Sequence, residues 1–268
     1  QTQDFANIMC ILLLFLLSFI LFYEHRDKLK NKIIKTVLSL FFLLNLFIVI
    51  VNRIKLVYIC LIPAVMYILY KKNKKSILGF LTLCVGGYFF LPSSIRSRLQ
   101  YIIKVKDDPS SNLRLIFWDA AISSFKKNPL LGMTTKERIN FNINHFKSRG
   151  VWDYIAVNYG ISDEIGLTNT HNMYLHHLAY YGIAILTLFY FFFVIIPFRI
   201  SKLTFYKTKN MKFSKYTAME IGLKSSYIAY LIQGITEYNL NKKPMIFVCV
   251  IFLVVLNFMY KKIINKNI

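Results

Sequence analysis

Two arginines and one histidine are the residues of this 268-residue sequence best suited to chemistry. Arg53 and Arg114 could each hold phosphate oxygens bidentately, because a guanidinium presents a planar fork of donors. His171 is a candidate general base, since histidine is the usual proton acceptor near neutral pH. The three residues together would suit a substrate with a phosphate-containing group and a hydroxyl that must lose its proton.

The elements that must position these residues are membrane helices. The sequence is 56% hydrophobic and 17% charged, which excludes a soluble enzyme and a disordered chain. A run of about 20 apolar residues is long enough to cross a bilayer as a helix. Six long runs almost free of charge occur, at residues 5–22, 36–51, 56–70, 77–91, 172–198 and 245–260, and a weaker one covers 218–238. The sequence therefore predicts an all-α polytopic membrane protein with about seven transmembrane helices.

The basic residues predict the orientation of these helices. The sequence has 34 Lys and Arg against 12 Asp and Glu, a net charge of +22. Basic clusters occur at every second boundary between runs, at residues 26–35, 71–75, 199–215 and 261–266. Cytoplasmic loops carry such an excess, so we place these clusters in the cytoplasm, beside anionic membrane lipids. Because the clusters lie between membrane segments, they do not indicate nucleic acid as a partner.

The long polar stretch between the fourth and fifth predicted spans should face outward. We expect four spans in residues 1–92, an extracytoplasmic loop with amphipathic helices in 93–170, and three spans with a cytoplasmic C-terminus in 171–268. The chain starts at Gln1 and enters the membrane almost at once. We expect either the C-terminal part of a longer chain with one integral membrane domain, which we favour, or a chain whose initiator residue was trimmed.

Within this loop, local patterns predict two helices. Ser110 to Asn112 form a candidate N-cap cluster before a helix over 113–127, which ends before Pro129. Thr134 and Glu137 have the spacing of a capping box. Residues 148–170 are rich in Gly, Asn and Asp and read as irregular. Arg53, Arg114 and His171 would then meet at the outer membrane interface.

No metal or cofactor site is expected. The sequence has no phosphate-binding loop, zinc-binding or calcium-binding motif, and its four cysteines lack the Cys or His spacing of a metal site.

The loop and its flanks contain three distinctive motifs: an Arg-x3-Trp helix at Arg114, an Asn-Pro-Leu-x-Gly turn at 128–132, and a His-Asn-x-x-Leu helix start at 171–175. In this combination the sequence resembles the O-antigen ligase and polysaccharide polymerase family. Asn52–Arg53 corresponds to a Ser-Arg pair of the family, and residues 234–240 resemble a segment of a later span. The sequence departs from the family in Asn52, which replaces serine, and in lacking a second glycine after Gly132.

The resemblance implies a metal-independent glycosyltransferase of the bacterial cytoplasmic (inner) membrane with an outward-facing active site. Such enzymes move a glycan from an undecaprenyl-pyrophosphate carrier to a hydroxyl of a glycan or lipid acceptor. Arg53 and Arg114 would bind the pyrophosphate, and His171 would be the catalytic base. Supporting candidates around them are Asn172, Tyr174 and Glu237.

Three interpretations of function remain open. A polymerase of O-antigen or capsule would extend one lipid-linked glycan with another, and we favour it. An O-antigen ligase, or a protein O-glycan ligase, would move the finished glycan to a lipid or a protein. A transporter of lipid-linked sugars would do no chemistry, but it would be expected to carry more charged residues within its spans.

The first prediction concerns topology. A single thiol introduced at Ser148 should react with a membrane-impermeant reagent added outside intact cells, whereas one introduced at Lys209 should not. The basic clusters are the reason, because they hold alternate loops in the cytoplasm. The reverse labelling pattern would overturn the outward placement of the loop.

Overall fold

The computed structural model describes residues 2–52, 54–103, 108–159, 166–199, 215–239 and 242–265. The described residues are mostly helical and contain no strand, which confirms the all-α class. The helices are α1 (Thr2–Phe22), α2 (Lys28–Val51), α3 (Lys55–Lys72), α4 (Lys75–Phe90), α5 (Ser93–Ile103), α6 (Pro109–Lys127), α7 (Thr135–Ser148), α8 (Trp152–Tyr159), α9 (Met173–Tyr190), α10 (Lys215–Gln233) and α11 (Lys243–Asn265).

Several helices have the length and composition of membrane spans. Among the described residues, three are long and apolar enough to cross a bilayer: Gln3–Phe22, Lys28–Val51 and Met173–Arg199. Lys75–Phe90 and Lys243–Met259 are shorter apolar helices. Large side chains on them, such as Leu40, Phe47 and Phe90, are exposed, as expected for residues that face lipid. These features fit a multi-pass membrane protein, and the count of seven spans stays a prediction.

The chain divides into two compact units, and the first contains residues 1–100, 195–233 and 242–268. In this unit α10 packs against α1 and α3. Small side chains such as Cys10, Cys60 and Ala229 are fully buried there, and small residues let membrane helices approach closely. The hydroxyl of Ser18 donates to the carbonyl of Ala218 at 2.7 Å, and so links α1 to α10.

Helix α10 corrects the predicted weak span over 218–238. The helix ends at Gln233, and the chain turns from Gly234 onward, so Glu237 lies outside it. The charge of Lys224 is neutralised within the helix, because its ammonium lies 2.9 Å from the carboxylate of the buried Glu220. The sequence pattern placed both segments in one span, because the apolar residues of the helix continue into Ile235 of the turn.

The second unit contains residues 101–194 and 234–241. Its core joins α6, α7, α8 and a short 3₁₀ turn at Gly166–Thr168. The rings of Phe117 and Phe146 meet edge to face, with centroids 5.5 Å apart, and Ile155 and Leu167 are fully buried beside them. The predicted irregular stretch over 148–170 is therefore wrong in part, because α8 supplies a buried side chain to this core.

The starts of α6 and α7 test the predicted caps. Helix α6 begins at Pro109, and Asp108 caps it by accepting a hydrogen bond from the amide of Ser111 at 3.0 Å. The predicted cap at 110–112 is thus wrong, since proline is favoured in the first turn of a helix. The capping box of α7 is confirmed, because Thr134 and Glu137 each bond to the other's backbone amide.

The turn after α6 lies directly against the backbone of α9. Gly132 and Gly182 have φ of 71° and 70°, a region that glycine adopts without strain. A β-carbon on Gly132 would lie 2.3 Å from the carbonyl of Tyr180, and one on Gly182 would lie 2.2 Å from that of Leu130. The amide of Ile183 donates to the carbonyl of Pro129 at 2.9 Å across this contact. The contact therefore needs glycine on both sides.

The second prediction concerns this contact. Gly182→Ala should lower the free energy of unfolding by about 2–5 kcal/mol, because alanine is strained at this φ and its β-carbon would overlap the backbone of the turn. Thermal unfolding in detergent would measure the loss. Gly86→Ala is the matched control, because a β-carbon at Gly86 on α4 meets nothing within 4 Å. A melting temperature of Gly182→Ala equal to that of Gly86→Ala would contradict the contact.

Candidate active site

The centre of the candidate site is an ion pair in the second unit. Arg114, in the second turn of α6, places Nη2 2.9 Å from Oε1 of Glu237 in the turn after α10. The Glu237 side chain is 5% exposed and that of Arg114 is 23% exposed. The carboxylate thus fixes one edge of a guanidinium that solvent still reaches. Two of the sequence-predicted residues are brought together here from positions 123 residues apart.

Helix α6 also holds the turn that carries His171. The indole Nε1 of Trp118 donates to the carbonyl of Thr170 at 3.0 Å. The ring of Phe117 meets that of His171 with centroids 6.3 Å apart. Arg114, Phe117 and Trp118 are spaced i, i+3 and i+4, so they lie on one side of α6. This side of the helix therefore positions both the ion pair and the candidate base.

The N-terminus of α9 follows this turn, and its first amides are already bonded. The amide of Met173 donates to the carbonyl of Gly234 at 2.7 Å. The side chain of Asn172 accepts from the amides of Tyr174 and Leu175, each at 2.9 Å. An anion at this site would therefore be held by side-chain donors such as Arg114 rather than by the first helix amides. Asn172, a supporting candidate from the sequence, is the helix cap.

His171 has an unusual backbone conformation. Its φ is 47°, the only positive φ of a non-glycine residue among the described residues. That conformation costs about 1–2 kcal/mol for an L-residue. The amide of His171 donates to the side chain of Asn169 at 3.0 Å, and Thr170 bonds to both backbone polar groups of Asn172. The surrounding hydrogen bonds hold the strained turn and so fix the backbone from which the imidazole extends.

Of the two remaining predicted residues, the structure describes Tyr174 but not Arg53. Tyr174 lies half-buried in the first turn of α9. Arg53 lies outside the described residues, so its predicted meeting with Arg114 and His171 stays a prediction.

Arg138 on α7 is a buried cation that was not among the residues predicted from the sequence. Its side chain is 1% exposed, and the guanidinium carbon lies 4.3 Å from the centre of the Tyr180 ring. Burial lowers the pKa of Arg138 to about 10, so the group stays charged at neutral pH. Tyr180 packs on His176, which stacks on Tyr238 at 3.8 Å. Through Tyr180 and His176, Arg138 thus supports Tyr238, the residue next to Glu237. Arg138, Asn142 and Phe146 are spaced four residues apart and form the buried stripe of α7. This spacing, which is visible in the sequence, could have indicated that Arg138 is buried.

Comparison with known proteins identifies the family. The sequence profile described as O-antigen ligase matches residues 38–190, which is more than half of the chain. The chain belongs to the O-antigen ligase family. Family membership and the apolar helices together indicate a glycan-transferring enzyme of the ligase or polymerase type, multi-pass in the bacterial inner membrane. Enzymes of this family use a lipid-linked glycan donor and a glycan or lipid acceptor. No curated protein matches the chain significantly.

The third prediction tests the ion pair by a double-mutant cycle. Arg114→Gln and Glu237→Gln should each destabilise the protein, and the two changes together should cost less than their sum. A coupling free energy of about 1–3 kcal/mol is expected for contacting charges. Chemical unfolding in mixed micelles would measure it. Arg149→Gln with Glu237→Gln is the control cycle, because Arg149 pairs with Asp119 instead. Purely additive effects for Arg114 and Glu237 would contradict the pair.

Proposed function

We propose that this O-antigen ligase family member transfers a glycan from an undecaprenyl-pyrophosphate carrier to an acceptor hydroxyl, as a polysaccharide polymerase of O-antigen or capsule. The reaction takes place at the outer face of the cytoplasmic membrane, on a protein with seven spans and an outward loop over 93–170. The basic cytoplasmic clusters contact anionic lipids. The observation that carries the proposal is the single side of α6, which positions Arg114 and the His171 turn together.

The proposed role of Arg114 is to bind the pyrophosphate. Glu237 holds one terminal nitrogen of the guanidinium, which leaves a partly exposed fork of donors for phosphate oxygens. The pair also fixes the side chain before substrate arrives, so little conformational entropy is lost on binding. Arg53, by its position in the sequence, is the second pyrophosphate ligand. Two guanidiniums would stabilise the charge of the leaving pyrophosphate without requiring a metal ion or another cofactor.

His171 is the proposed base. The acceptor oxygen forms a bond to the anomeric carbon of the donor, and its proton passes to an imidazole nitrogen of His171. The bond between the anomeric carbon and the pyrophosphate oxygen breaks, and the electron pair leaves with the undecaprenyl pyrophosphate. Asn172 supports this step indirectly, because it caps α9 directly after the His171 turn. Tyr174 occupies the first turn of the same helix and is a further candidate for contact with the substrate.

Product analysis tests this function. Purified protein would be incubated with lipid-linked repeat units, and the products separated by size. A ladder of lengths is expected for a polymerase. Transfer of one glycan to an added lipid or peptide acceptor, without a ladder, would identify a ligase. The absence of any covalent product would contradict the proposal and favour transport.

The fourth prediction tests the base with a variant suited to the backbone. Asparagine tolerates positive φ better than most residues, so His171→Asn should keep the turn while removing the imidazole. Glycan transfer should fall by about 10²–10⁴-fold, the usual contribution of a general base. Binding of the lipid-linked donor should persist, because the arginines remain.

His25→Asn is the control for this measurement, because His25 lies in a predicted cytoplasmic loop and should leave transfer unchanged. Transfer by His171→Asn within a few-fold of the parent protein would remove the base assignment.

A further inference from the structure

A polar groove lies between the C-terminal end of α6 and the exposed face of α7. Its volume is about 590 Å³, within the range of roughly 300–1,000 Å³ that is common for ligand sites. All of its lining residues belong to the second unit. The groove is separate from the ion pair, because Lys127 at its edge lies thirteen residues after Arg114, roughly 20 Å along α6 at 1.5 Å per residue.

The face of α7 in this groove is rich in neutral polar groups. Asn140, Asn144 and Ser148 recur every four residues, so they form one stripe along the helix. All three are exposed, and the side chains of both asparagines line the groove. A side-chain amide offers two donors and one acceptor oxygen. This stripe could therefore bond to a row of hydroxyl groups, which likewise donate and accept.

An aromatic surface lies beside the amides. The ring of Phe141 and that of His145 are nearly parallel, at 16°, with centroids 5.8 Å apart. His145 is held in place because its Nε2 lies 2.8 Å from a carboxylate oxygen of Asp119. A half-buried ring next to amide groups suits a ligand with both C–H and O–H groups, such as a sugar ring.

The charges of the groove are balanced. Lys127 contributes one ammonium, which stands 5.7 Å from the centre of the Phe141 ring. Glu137 contributes one carboxylate, and the amide of Thr134 holds the pKa of that carboxyl below its ordinary value. Phosphate sites gather positive charge, and this groove does not, although the whole chain carries a net charge of +22. Its chemistry therefore suits an uncharged polyhydroxyl ligand better than a phosphate.

We propose that the groove between α6 and α7 is an acceptor subsite that binds the sugar residues of the glycan at a distance from the reacting hydroxyl. The inference rests on the proposed glycan transfer and adds the place where the acceptor is held. Phe141 packs against a sugar ring, and Asn140 and Asn144 bond to its hydroxyls. A glycan anchored here is kept near the site through several sugar residues, which raises the effective concentration of its end.

The fifth prediction measures binding apart from chemistry. The probe is the oligosaccharide released from the lipid-linked acceptor by mild acid, which carries neither pyrophosphate nor lipid. Saturation-transfer NMR with the full chain in nanodiscs should show binding to the parent protein. Phe141→Ala should weaken the affinity about tenfold. The double variant Asn140→Ala with Asn144→Ala should weaken the affinity similarly. Because both positions are exposed, this variant should fold like the parent protein.

Two controls define the site. Lys136→Ala changes an exposed residue of α7 outside the groove and should bind the probe like the parent. Inorganic pyrophosphate should not displace the probe, since it belongs at Arg114. In transfer assays the groove variants should raise KM for the acceptor and leave kcat near the parental value.

The outcomes separate this proposal from the function on which it rests. If the parent protein fails to bind the probe, or if the groove variants bind it as well as Lys136→Ala does, the subsite is disproved even when transfer is observed. Displacement by pyrophosphate would also disprove it, and would make the groove an anion site. If the probe binds in the groove but the parent protein makes no covalent product, the proposed transfer fails, and the groove stands as a glycan-binding site but not as an acceptor subsite.

Discussion

The contact between the turn after α6 and the backbone of α9 is the constraint on which the second unit depends. Gly132 and Gly182 let two main chains approach until a β-carbon on either would overlap a carbonyl group of the other. Hydrogen bonds from Met133 to Ala179 and from Ile183 to Pro129 close the contact on both sides. Because α6 and α9 each carry part of the candidate site, this contact fixes where those parts lie relative to each other.

The candidate site is arranged around α6 rather than around the helix end of α9. A helix N-terminus often binds anions through its free amides. The first amides of α9 are not free, because they donate to the carbonyl of Gly234 and to the side chain of Asn172. Positive charge for a pyrophosphate would then come from guanidinium groups. Glu237 gives Arg114 a defined orientation, and the strained turn at His171 is held by Trp118 through Thr170. Both candidate residues are thus positioned before a substrate binds.

Helix α7 has a buried face and an exposed face, and the two have different contacts. Its buried face carries Arg138, which packs on Tyr180 and supports the aromatic column that ends at Tyr238, next to Glu237. Its exposed face carries the amides and the ring of the groove. A residue change on the buried face would act on the ion pair through packing, whereas a change on the exposed face would act on the proposed glycan subsite.

The sequence by itself determined the helical membrane class, the capping box of α7 and the motifs that indicate the family, because apolar runs, caps and motifs are local patterns. It placed Arg114 and His171 among the candidates by residue type and position. It missed the start of α6 at Pro109, the end of α10 at Gln233 and the role of Arg138. Only the tertiary structure paired Arg114 with Glu237 and joined Gly132 to α9, since such contacts depend on distant residues meeting in space.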